Sequence, residues 1–126
     1  MIWLRGIQHR AGPWILAAAA LAVYLSNGRC LSTRDALPAR WLPMTLLQEG
    51  NLDYDEYFKD PAAPLPYGFI RSGGHVRTIY PLLPGLVAVP VYAAGLPFVR
   101  GHPEAPIVLE KITASLLVAG SALFVA

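Results

Sequence analysis

The stretch YPLLPGLVAVPVYAAGLPFV, Tyr80–Val99, runs for 20 positions without a charged residue. A helix needs roughly 20 apolar residues to cross a hydrocarbon core of about 30 Å, so this run is long enough to span. Pro84, Pro90 and Pro97 interrupt it, which membrane helices tolerate when neighbours re-satisfy the freed backbone groups. Further along, 107–126 is equally long, with Glu110 and Lys111 close to its start. Before it, Pro13–Leu25 is apolar and reaches spanning length when Ala11, Gly12 and Ser26 are included. The expected fold is therefore mainly α: a single integral membrane domain, 1–126, with about three transmembrane helices. The spans fall at about 11–26, 80–99 and 107–126, with one external loop at about 27–79.

Composition agrees. Hydrophobic residues make up 55% of the chain and charged residues 14%, against about a quarter charged in soluble domains. Twelve of the 18 charges lie in the loop, six basic and six acidic. The lipid bilayer is thus the first expected partner. A net charge of +2, scattered along the chain, argues against nucleic acid. Cys30 is the sole cysteine, so an intrachain disulfide is excluded.

Arg5, His9 and Arg10 before the first apolar run resemble a signal peptide, but Tyr24-Leu25-Ser26-Asn27-Gly28 is a poor cleavage site, favouring an uncleaved anchor. Arginine at this end places the N-terminus in the cytoplasm. The expectation is a multi-pass cell-membrane protein whose loop is extracytoplasmic. Arg100 and His102 then return to the cytoplasmic side.

Within the loop, Ser32-Thr33-Arg34-Asp35 has the pattern of a helix start. Leu37, Trp41, Met44 and Leu47 recur at three- and four-residue steps. They predict a short amphipathic juxtamembrane helix over 36–48, lying along the membrane with Trp41 at headgroup depth. Pro43 should bend or break it, and Gly50-Asn51 should stop it. Ser72-Gly73-Gly74-His75 predicts a tight turn leading into a short strand, 76–80.

Several loop residues carry candidate chemistry. Asp35 could act as a general base toward an acceptor hydroxyl or merely cap the helix start. Asp53 and Asp55 form an Asp-x-Asp pair that could face one hard divalent cation, the only cofactor suggested; such acidic motifs occur often by chance, and solvated loop charge is the simpler explanation. His75 and Arg77 could contact a phosphate, or belong to a flexible polar turn. Arg40 could meet a phosphate or lipid headgroups. Tyr80 and Trp14 read as interfacial anchors.

Asp35-Ala36-Leu37-Pro38-Ala39-Arg40-Trp41-Leu42-Pro43, the stretch Leu46–Asp55, Tyr80-Pro81-Leu82-Leu83-Pro84-Gly85 and Leu109-Glu110-Lys111-Ile112 together resemble GT-C-type membrane glycosyltransferases. The likeness is to bacterial relatives of the dolichyl-phosphate-mannose-type and lipid A-modifying transferases. It implies transfer of a sugar from a polyprenyl-phosphate donor to an extracytoplasmic acceptor, with Asp35 matching the early acidic residue of the first external loop. Such enzymes have more than three membrane helices. The chain is accordingly expected to be the N-terminal part of one, completed by a partner chain or further C-terminal helices and inactive alone. The alternative is a small non-enzymatic membrane protein whose external loop binds a partner.

Overall fold

The computed structural model describes residues 3–29, 33–99 and 101–125. The protein is mainly helical. Its elements are α1 (Trp3–Ser26), α2 (Leu37–Gln48), β1 (Phe69–Ser72), β2 (His75–Thr78), α3 (Leu83–Val99) and α4 (Ala105–Val125). Short 3-10 turns occupy Arg34–Ala36 and Asp55–Tyr57. Two compact units result. One contains α1 and α4 from Lys111 onward; the other is Leu31–Glu110.

The second unit has its own core. Leu42, Tyr54, Phe69 and Val76 are buried together, with Trp41, Phe58, Leu65 and Leu82 packed around them. Trp41 stacks on Tyr57 with ring centroids 4.4 Å apart and lies 5.8 Å from the Phe69 ring. Trp41 thus sits in a protein-made aromatic cluster, where each ring pair adds about 0.5–1.5 kcal/mol beyond its buried area. The predicted helix forms, but its buried set differs from the predicted stripe. Leu42 is fully buried and Leu47 is exposed, because α2 is covered both by the aromatic cluster and by α3.

That second cover explains Pro43. The helix runs through it unbroken. Proline cannot donate to the carbonyl of Ala39, and a Cβ on Gly85 of α3 would lie only 3.1 Å from that oxygen and 2.7 Å from Leu42 Cδ2. Glycine lets the α3 backbone close over the gap. The helix ends as predicted, with Gly50 in the left-handed region.

The predicted turn is also present. β1 and β2 pair antiparallel from Phe69↔Thr78 to Ser72↔His75. Gly73 and Gly74 are the two loop residues, at φ 62° and 85°. Positive φ at both central positions is what a type I′ hairpin requires, and only glycine adopts it freely.

Among the described residues, one helix is long and apolar enough to cross a membrane: Ala105–Phe124, with mean hydropathy 1.7. The apolar segments Ala11–Ser26 and Leu83–Phe98 are shorter.

The helix at the expected second crossing is α3. α3 has 17 residues, about 26 Å at 1.5 Å per residue, and it packs along α2. The Tyr92 hydroxyl in α3 donates to the Pro106 carbonyl at 2.9 Å. Ala88, Tyr92 and Leu109 form a second cluster that also takes in Met44 of α2. Arg40 of α2 lies 2.6 Å from Glu110 in α4. The expected topology put α2 outside and the start of α4 inside, on opposite sides of a core about 30 Å thick. In the structure the two residues of that pair lie 2.6 Å apart.

Candidate functional site

Asp35 sits in the 3-10 turn before α2, and its side chain is exposed. Neither Thr33 nor Ala36 supplies a side-chain cap. The Asp35 carboxylate faces Tyr80, whose hydroxyl lies 3.5 Å from Oδ1. That contact is long for O–H···O, where 2.7–2.8 Å is usual. Ser32, the other half of the expected helix-start motif, lies outside the described residues. Tyr80 is half-buried and meets Tyr67 edge-on at 6.2 Å. Its phenol is pushed up to about 12, by burial first and then by Tyr67 and Asp35. It therefore stays a neutral donor near pH 7.

A second group assembles around the hairpin. Buried Tyr54 anchors the segment between its two aspartates: its N–H donates to the Val76 carbonyl at 2.9 Å and its hydroxyl to the Pro38 carbonyl at 3.0 Å. With Tyr54 turned in, Asp53 and Asp55 emerge beside β2. Asp55 Oδ1 accepts the Val76 N–H at 2.6 Å, and Oδ2 lies 2.6 Å from His75 Nδ1. Asp53 Oδ2 is 3.6 Å from the same nitrogen. The Val76 amide, and then the His75 ring, hold the Asp55 carboxyl below its usual range. Neighbouring Glu56 is pushed up, by burial first and then by the adjoining carboxylates.

Arg77, exposed on β2, lines a cleft of about 400 Å³ with Leu52, Asp53, Thr78 and Leu82. The structure thus brings together Asp53, Asp55 and His75, and sets Arg77 on the same cleft wall as Asp53. Arg40 is elsewhere. It is 4% exposed, and both Nε and Nη2 lie 2.6 Å from Glu110 Oε2. A buried pair of this kind positions helices more than it stabilises them.

Two features escaped the sequence. Tyr80 read as a membrane anchor, yet its hydroxyl is the nearest polar group to Asp35 among the described contacts. His75 was grouped with Arg77, although its ring faces the aspartates. The Gly-Gly turn was the available signal, since it fixes the register that presents His75 at the strand start. What it could not show was the loop segment running beside that strand. Comparison of the chain with protein-family models, with curated proteins and with solved structures gave no match.

Proposed function

We propose that this chain is the N-terminal, membrane-anchored part of a glycosyltransferase that moves a sugar from a polyprenyl-phosphate donor to an extracytoplasmic acceptor. The observation that carries the reading is Asp35: an exposed carboxylate just before α2 that, among the described residues, meets a neutral tyrosine by a long contact. In this proposal Asp35 takes the proton of the acceptor hydroxyl. The acceptor oxygen forms its bond to the anomeric carbon as the bond from that carbon to the phosphate oxygen breaks. Polyprenyl phosphate leaves, and Arg77 offsets the charge that develops on it. Arg40 holds α2 against α4 through Glu110, leaving the phosphate to Arg77.

The proposal includes a revised topology. α1 and α4 are the crossings, and residues 27–104 form one extracytoplasmic module. Within it α2 and α3 lie along the membrane surface, with Leu83, Leu86, Val87 and Phe98 as exposed apolar contacts.

Asp35→Asn, assayed in the full-length protein with a labelled polyprenyl-phosphate sugar, should lower transfer by about 100-fold or more. Undiminished transfer removes Asp35 as the base. A second reading, an extracytoplasmic module that binds a partner without catalysis, is favoured by the separate core of Leu42, Tyr54, Phe69 and Val76. Loss of transfer in Asp35→Asn with an unchanged fold would discard it.

A further inference from the structure

Asp53, Asp55 and His75 come from a loop and from a hairpin some 20 residues apart, and their donor atoms all lie within 4.8 Å of one another. An ion pair explains only part of this. Asp55 alone, at 2.6 Å, supplies His75 with its partner. Bringing Asp53 to 3.6 Å of the same nitrogen sets two carboxylates within 4.8 Å of each other, and these like charges repel unless more positive charge is present. The arrangement is also prepared from outside the triad. The Val76 N–H fixes one oxygen of Asp55, as outer hydrogen bonds orient ligands around metals. Buried Tyr54 aims both aspartates the same way.

We propose that Asp53, Asp55 and His75 bind a divalent first-row transition cation, Mn2+ or Zn2+, at the edge of the cleft shared by Asp53 and Arg77. Metal–ligand bonds of about 2.0–2.2 Å set tetrahedral donors about 3.3–3.6 Å apart. The His75–Asp53 distance already meets this. The His75–Asp55 pair opens by about 1 Å or less as the cation takes the place between them. An imidazole nitrogen and only three protein ligands favour a transition cation over Ca2+, which takes six to eight oxygens, and over Mg2+, which keeps its waters. Positions left open beside Arg77 suit an anionic co-ligand such as a phosphate. The site does not depend on the sugar-transfer reading, and its test uses no activity.

The test is calorimetric titration of the tag-free full chain in detergent with MnCl2, ZnCl2 and MgCl2. Wild type should show one saturable site for Mn2+ or Zn2+ and at least about tenfold weaker Mg2+ binding. Asp53→Asn and His75→Gln should each weaken Mn2+ or Zn2+ binding at least about tenfold, with near-ultraviolet circular dichroism unchanged. If His75→Gln disturbs the fold, Asp53→Asn decides, because Asn keeps the Asp53 shape. Absence of saturable binding, equal affinity in Asp53→Asn, or equal affinity for Mg2+ overturns the proposal and leaves the triad a hairpin ion pair.

Discussion

Leu42, Tyr54 and Val76 in the second unit are at most 1% exposed, whereas in the first unit Trp14 and Ile15 are each 66% exposed, Leu117 is 53% and Phe124 is 92%. Similar side chains thus have opposite fates. Aromatic rings in the second unit find one another: Trp41 stacks on Tyr57, and Tyr54 meets Phe69 edge-on at 5.1 Å. The apolar residues of α1 and of the later part of α4 face outward instead. Hydrophobic burial drives folding only where water is the alternative. One region therefore closes an aromatic core of its own, and the other leaves large apolar side chains exposed.

The most decisive way to break this contrast is all-or-none. If the second unit lies wholly on one side of a bilayer, Lys59→Cys and His102→Cys, each in a Cys30→Ser background, should react with an impermeant maleimide from the same side of sealed vesicles. Labelling from opposite sides would restore a crossing by α3 and dissolve the module.

Next comes packing. Leu42→Ala leaves a cavity under Tyr54 and Phe69 and should destabilise the unit by about 3 kcal/mol in denaturant unfolding, followed by near-ultraviolet circular dichroism. Leu117→Ala should shift the same transition by no more than about 0.5 kcal/mol. Equal effects would mean that the two regions share one core.

The smallest effect is electrostatic and confined to the hairpin. The Asp55 carboxyl lies below the ordinary value of 3.8 in the folded protein, because it accepts the Val76 N–H and faces His75. A depressed carboxyl adds stability that is complete above the unfolded value and is lost as pH falls through the lowered one. Unfolding midpoints should therefore drop from about pH 4 downward, and Asp55→Asn should flatten that acid limb. An unaltered limb would show that the contact does not tie the hairpin to the loop.

Local chemistry made several elements legible. Gly73-Gly74 announced the tight turn, because a two-residue loop needs positive φ twice, but not the strand β1 that enters it. Gly50 announced the end of α2, and the apolar runs announced all of α3 and all of α4 but Ala105 and Pro106 as helix. Periodicity could not foresee a helix covered on two sides, so the stripe through Leu37, Trp41, Met44 and Leu47 missed Leu42. Nor did acidic spacing foresee that Asp35 would face Tyr80.

Residue order alone determined that this chain has apolar helices flanking a charged segment, since hydrophobicity and glycine act through neighbours in sequence. Only tertiary structure decided which of those elements meet. Arg40 reaches Glu110, 70 positions away in sequence, and His75 reaches Asp55, 20 positions away. Such contacts depend on where α2, α3, α4 and the hairpin pack, and it is that packing, not spacing in sequence, that gathers two aspartates around one imidazole.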